Sequence, residues 1–342
     1  MGAHPTRKRA LEKISGSTKI TLPKRPSDPL PSLAMPYKSL SSPRRVESLD
    51  AEVRAAASLD NPNLVAMVSA SPARCAVVPV GTGTNKVVNL SLTEGDDVAL
   101  LSRDVALVRS GNDVWAVLDI HHRAKFERVA TNVRSLSGKP SGERALALTW
   151  DGNAVELSLS GHDVSERPFV LRGNVKLADV GAADTTVVVE VPGGLELRMH
   201  PGHTPESGAN GRAPLPAEAK KLDRLKSGLA ASILYKKGQS GACLITQKGG
   251  RLAAKMIDLG APIASAAVSE TSLVVAFEDG RASLYDGATL DGAGDTSLTA
   301  THSLSLGVRG EPSTMLITSK GSAWVWVGTT TGEIVRVSLP RK

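Results

Sequence analysis

One unit recurs along most of this chain: an apolar run, a turn carrying glycine, then a strand of alternating apolar and polar residues. Val105-Ala-Leu-Val-Arg109 turns at Ser110-Gly-Asn-Asp113 into Val114-Trp-Ala-Val-Leu118. Equivalent units occupy residues 75–92, 145–159, 187–199, 242–257, 273–285 and 323–339. Alternation with period two is the mark of a half-buried strand, and glycine supplies the backbone freedom that a tight hairpin turn requires. Seven such units at ~41 residues each match the period of propeller blades. The turn glycines 111, 152 and 193 are 41 residues apart, whereas the steps to 250, 280 and 332 are 57, 30 and 52. A loop insertion near 201–221, rich in Pro, Gly and Ala, is the expected reason for the 57. The pattern predicts an all-β fold, a β-propeller over residues 53–342 whose best count is seven blades of antiparallel strands, with six or eight left open by the uneven spacing. Either residues 53–68 or the last strand, Ile334 to Leu339, is expected to close the ring.

Charge divides the 342-residue chain in a second way. Residues 1–46 hold ten basic side chains and two acidic ones, while the remainder holds 31 bases against 32 acids. Seven prolines interrupt the same basic segment. Such a composition buries too little apolar surface to offset ordering entropy, so residues 1–46 are expected to form a basic, Pro-rich extended arm. Its clusters Arg7, Lys8, Arg9, Lys24, Arg25, Arg44 and Arg45 are the candidate partner contacts, for an acidic protein surface or for RNA or DNA phosphates. The same clusters also fit a nuclear address, and the basic N-terminus leaves a mitochondrial one open. Ser42-Pro43-Arg44-Arg45 has the form of a proline-directed phosphorylation site, at which phosphate on Ser42 would reduce the arm's charge. No apolar run reaches the ~18 residues of a membrane helix. Two cysteines, Cys75 and Cys243, are too few for a disulfide framework. A soluble intracellular protein, nuclear before cytoplasmic, is the expectation.

Phe277-Glu-Asp-Gly-Arg-Ala-Ser-Leu-Tyr-Asp286 resembles the end of a WD40 repeat, where an Asp-Gly turn leads to a Trp-Asp or Tyr-Asp pair. Trp326-Val-Gly-Thr-Thr-Thr-Gly-Glu-Ile-Val-Arg-Val337 resembles the same segment without its final Asp. Gly161-His162 and Gly202-His203 resemble the Gly-His pair that opens such repeats. The resemblance to a divergent WD40-like family covers the chain from about residue 53. Most units lack the Trp-Asp pair, and Trp150-Asp151 falls in a turn. The side-chain network that strengthens typical WD40 blades is therefore expected to be mostly missing.

Residues with chemical potential do not assemble into a reaction centre. His121-His122 offers metal-ligand nitrogens, but adjacent strand positions face opposite ways, so a loop pair is the simpler account. Gly81-Thr-Gly-Thr-Asn-Lys86 lacks phosphate-loop spacing and leads into a strand, as a hairpin turn does. Cys75 and Cys243 lie inside strands, where buried thiols behave as small hydrophobes. No catalytic, cofactor-binding or metal-ligating residue is assigned, and the chain is not expected to be an enzyme. The resemblance implies a scaffold subunit of a multiprotein complex that docks protein partners through its faces and arm. A nucleic-acid-associated subunit, with the arm on the phosphate backbone, is the alternative.

Overall fold

The computed structural model describes residues 40–161, 163–170, 173–181, 184–201, 211–228, 231–248, 251–269, 272–286, 290, 298–318 and 323–339. Its described strands form seven four-stranded antiparallel sheets. Six sheets are built from consecutive strands, over residues 53–89, 97–130, 133–168, 174–214, 224–258 and 263–305, here blades 1 to 6. The first strand of every blade lines one central channel. The fold is thus a seven-bladed propeller, as the hairpin period predicts.

Strand position within a blade explains its composition. Second strands such as Val65-Ala-Met-Val68 and Leu273-Val-Val-Ala-Phe277 are buried throughout, because a neighbouring blade covers each face. Hence they read as continuous apolar runs. Inner strands converge on the axis and use small residues, as in Ala55-Ala-Ala-Ser58. Outer strands are polar: Asp163–Pro168 exposes five of its six residues, and its charges and proline discourage pairing with another sheet edge.

Blade 7 closes the ring. Pro312–Thr318, Trp324–Thr329 and Glu333–Ser338 supply three strands, and Arg44–Ser48 supplies the fourth. Arg44 lies opposite Arg336 and Ser48 opposite Glu333, with a bulge between Arg45 and Glu47. The closure therefore joins the C-terminal strand to residues that the sequence pattern places in the arm; residues 53–68 instead begin blade 1. Arg44 and Arg45 are structural here, and Arg45 also pairs with Glu333 at 3.5 Å. Leu40 and Leu49 are buried on either side of the closing strand, and Ser41 exchanges bonds with Ser338, its Oγ accepting that residue's N–H.

The irregular turn spacing has a simple cause. Gly111, Gly152, Gly193, Gly280 and Gly332 join second to third strands, whereas residues 249–250 join the third and fourth strands of blade 5. The equivalent glycine there is Gly238, which like the others has a positive φ. With it the steps become 41, 41, 45, 42 and 52, and the 57 and 30 are distances between non-equivalent turns. Residues 201–221 are not a single inserted loop. Gly211–Pro214 is the outer strand of blade 4, and Ala217–Lys221 is a 3-10 helix whose Ala219 is buried beside Leu197 and Leu225. Residues 202–210 lie outside the described residues.

Side-chain and backbone bonds stitch neighbouring blades along the inner strands. Arg54 donates to Asp96 (2.5 Å) and Glu94 (2.9 Å), tying blade 1 to the approach of blade 2. Asp97 accepts from the Leu136 N–H of blade 3 (3.1 Å) while holding Arg109 (2.6 Å). Arg134 donates to the Val175 carbonyl of blade 4. Asp179 accepts from Ser137 Oγ in blade 3 and from the Ser227 N–H in blade 5. Tyr235 Oη accepts from the Ala266 N–H of blade 6, and Ser313 Oγ of blade 7 donates to the Val53 carbonyl of blade 1. Arg54, Arg134 and Ser313 occupy bulges at matching positions of their inner strands, which turns their side chains toward the next blade.

Two truncations test the closure. Removing residues 1–38 is expected to leave the melting temperature unchanged. Removing residues 1–48 also deletes the fourth strand and the buried Leu40, and leaves Leu49 unanchored, at ~2 kcal/mol per leucine, and is expected to lower it by at least ~6 °C in a thermal melt.

Candidate functional site

In every blade the inner strand begins at the end of the ring where the turns between second and third strands lie. That end is here the upper one, and the connections from first to second and third to fourth strands form the lower one. The channel between them encloses a cavity of about 540 Å³. On the side of blades 1 and 2 its charges are mutually satisfied through Arg54, Asp96, Arg109 and Asp97. On the side of blade 5, Arg224, Lys226 and Lys237 line the same cavity and make no ion pair among the described residues. At the lower end, the connection of blade 3 crosses beneath blade 2: Asp60 N–H donates to Pro140 O (2.7 Å), and Glu143 N–H to Leu101 O (2.6 Å). Gly142, at φ 81°, allows this approach, since a Cβ there would lie 2.7 Å from both Leu101 O and Leu59 Cδ1.

A second cavity, of about 510 Å³, opens at the lower end between blades 1 and 2. It unites two sequence features read separately. Thr84, Asn85 and Lys86 come from the hairpin turn of blade 1, and His121-His122 from the corresponding turn of blade 2. Arg103 and Asp104, from the first connection of blade 2, complete the lining. Lys86 Nζ donates to the His122 carbonyl at 3.4 Å, and Asn85 Nδ2 donates to the Val46 carbonyl in the closing strand at 3.1 Å. His121 Nε2 is buried with no hydrogen-bond partner. Burial pushes the His121 pKa below its usual value; Asp104 opposes this, while Arg103 and Lys86 lower it further. No group of three or more His, Cys, Asp or Glu side chains suited to a metal occurs among the described residues.

The other singled-out residues have structural placements. Cys75 and Cys243 are buried free thiols on different blades, and burial raises each pKa to about 12. Ser42 is exposed immediately before the closing strand. Arg7, Lys8, Arg9, Lys24, Arg25, His162, Gly202 and His203 lie outside the described residues. Gly161 directly follows the third strand of blade 3 instead of opening a blade. Tyr285-Asp286 does end a third strand, after the Asp279-Gly280 turn, in the position the WD40 resemblance requires.

The sequence places Trp150 in a turn and leaves the exposure of its side chain open. It is 61% exposed at the upper end, where its Nε1 donates to Asn112 Oδ1 of the adjacent blade (2.9 Å). Its position in a turn instead of a strand was the available signal. An aromatic ring held in place with its face open is the usual anchor of a partner contact.

The architecture matches solved propellers. The WD40 repeats of RRP9 superpose with a TM-score of 0.62 at 10% identity, covering 88% of this chain and 99% of that one. U3-55K gives 0.61 at 10% identity, over 87% and 98% respectively. The fold is a WD40-like β-propeller. No family model and no curated protein matches the sequence. In this WD40-like ring the inter-blade bonds of Arg54, Asp97, Arg134, Asp179 and Ser313 take up the stitching for which the sequence has few repeated Trp-Asp pairs. No helix among the described residues is long and apolar enough to cross a membrane.

His200 gives the WD40-like body a pH dependence. It is 5% exposed, edge-on to Phe169, and neither ring nitrogen has a hydrogen-bond partner among the described residues. Burial lowers its pKa from 6.5, and the positive charges of Arg198 and Arg212 lower it further. The unfolded chain therefore binds the proton more readily. Stability is expected to be full above 6.5 and to fall as pH drops from there toward the folded-state pKa. Chemical denaturation of wild type and His200→Leu at pH values spanning this window checks it, the variant losing less stability on acidification.

Proposed function

We propose that this propeller is a non-catalytic scaffold subunit of a larger intracellular complex, docking protein partners through its faces and through its basic N-terminal arm. The observation that carries the reading is the attachment of the arm. A segment of high positive charge runs directly into the strand that closes a rigid ring. The upper end, with Trp150 and the cation-lined channel mouth, offers a second contact region on a frame of short loops. A nuclear location fits the clusters Arg7 to Arg9 and Lys24-Arg25. Phosphorylation of Ser42 would place negative charge at the root of the arm, exposed and beside Arg44.

The second reading, a nucleic-acid-associated subunit, is favoured by one observation: the arm joins the ring at the same end as the basic cavity between blades 1 and 2. Binding of this kind would be weakly sequence-specific and strongly dependent on salt.

Affinity purification of the tagged full chain and of a chain lacking residues 1–38, with and without nuclease, separates the readings. A scaffold retains its partner set after nuclease and loses part of it when the arm is removed. Collapse of the set on nuclease treatment favours the second reading, and a set unchanged by arm removal contradicts the docking role of the arm.

A further inference from the structure

One wall of the central channel carries cations that the fold leaves without partners. In blade 5 the inner strand Arg224–Ser227 sets Arg224 opposite Tyr235 and Lys226 opposite Ile233, so these four side chains share one face of the sheet. Tyr235 and Ile233 pack with Ile263 and Ala266 of blade 6, whereas Leu225, on the other face, packs with Leu197 of blade 4. Arg224 and Lys226 are therefore turned toward the inner strand of blade 6, Ile263-Ala-Ser-Ala-Ala-Val268, which has no charged side chain. Lys237, two residues past Tyr235 in the turn above, lines the same cavity. None of the three cations has an ion pair or a side-chain hydrogen bond among the described residues.

The opposite wall behaves differently. There Arg54 and Arg109 both pair with Asp96, and Arg109 also holds Asp97. Near blade 5, Asp179 is committed to Ser137 Oγ and the Ser227 N–H. Asp223, exposed beside Arg224, forms no ion pair with any of the three cations. Like charges gathered on one wall repel, and an anion in the channel would offset that repulsion.

A buried hydroxyl adds a directed donor to the same wall. Tyr235 is 1% exposed, and its Oη accepts the Ala266 N–H at 3.3 Å. Its own proton has no acceptor among the described residues, which leaves a phenolic donor beside the three cations. The wall thus supplies donors and lacks acceptors.

Size and spacing narrow the ligand. A cavity of about 540 Å³ is of the order that holds a small molecule. Residues two apart on a strand are separated by roughly 7 Å, so Arg224 and Lys226, with Lys237 above them, form a ladder longer than one tetrahedral anion. Several linked anionic groups match it better. The Tyr235 ring is packed between blades 5 and 6, so it gives no open face on which a base could stack.

We propose that the blade 5 wall of the channel binds a small polyphosphate, Arg224, Lys226 and Lys237 neutralising its charge and the Tyr235 hydroxyl donating to one of its oxygens. The site belongs to the folded ring and goes beyond the docking reading, in which the channel mouth is a contact region only.

The test is calorimetric titration of the full chain with sodium triphosphate, orthophosphate and adenosine triphosphate. Wild type is expected to bind triphosphate at least ~10-fold more tightly than orthophosphate. Lys226→Gln/Lys237→Gln is expected to weaken triphosphate binding at least ~10-fold, and Tyr235→Phe ~5-fold. Thermal melts control for folding, with Arg224→Gln as a second variant at an exposed position. Equal affinity for triphosphate and adenosine triphosphate supports the free ion as a sufficient ligand, and tighter binding of the nucleotide supports an organic polyphosphate as the source. Unchanged triphosphate affinity in the double variant and in Arg224→Gln overturns the proposal, by assigning the binding to basic residues elsewhere. Orthophosphate bound as tightly as triphosphate, or no saturable binding by the full chain below about 1 mM, also overturns it. So does tighter binding of hexaglutamate than of triphosphate, which would assign the wall to an acidic peptide.

Discussion

The pairing of Arg44–Ser48 with Glu333–Ser338 is the contact on which the ring depends. A propeller is stable because each blade is covered on both faces by its neighbours, and that condition fails at any gap. Three strands of blade 7 come from the end of the described chain and the fourth from near its start. The ladder between them converts a linear array into a closed ring, with the short, charged Arg44–Ser48 as the outer edge of blade 7. Leu40 and Leu49 bury apolar surface on both sides of this strand, so closure has a packing component as well as a hydrogen-bonded one.

Around the axis, adjacency between blades is enforced by polar contacts at repeated positions. Bulges near the start of five inner strands rotate a side chain out of the ladder. In three of them, Arg54, Arg134 and Ser313, that side chain reaches the next blade. Asp97 and Asp179 accept main-chain N–H bonds from the following blade. Arg54, Asp97, Asp179 and Ser313 line the central channel instead of the blade interiors, which leaves the interiors to Val, Ala and Leu and suits a chain with few aromatic residues. A divergent sequence keeps the architecture because the geometry of the seams, more than any one motif, is what recurs.

Strand identity and blade number were legible because the two governing signals are local: alternation in half-buried strands and glycine at turns requiring positive φ, as at Gly111 and Gly152. The pairing partner of a strand is not a local property. Arg44-Arg-Val-Glu-Ser48 is short, charged and preceded by prolines, so it reads as part of the arm until its partner near residue 335 is known. Gly238 and residues 249–250 both follow apolar runs, and sequence alone does not say which of them is the turn equivalent to Gly193. The candidate site was visible only in halves. Lys86 and His121 are 35 positions apart, and they meet because equivalent turns of consecutive blades fall at the same end of the ring. Trp150 was noticed for its place in a turn, but exposure is set by neighbouring blades and was not readable.

The closing strand and the lower-end cavity adjoin, since Asn85 of the cavity bonds the Val46 carbonyl of that strand. The most direct test of this account is a cross-link at the closure. Arg44 and Arg336 lie directly opposite across the two strands, at a Cβ separation of ~5 Å that a disulfide spans after modest adjustment. Both natural cysteines are buried and on other blades. Mild oxidation of the Arg44→Cys/Arg336→Cys variant, read by peptide mapping, is predicted to give an intramolecular disulfide between these positions in the folded monomer. Free thiols at both positions, or a disulfide formed only between two chains, would contradict closure by the N-terminal strand.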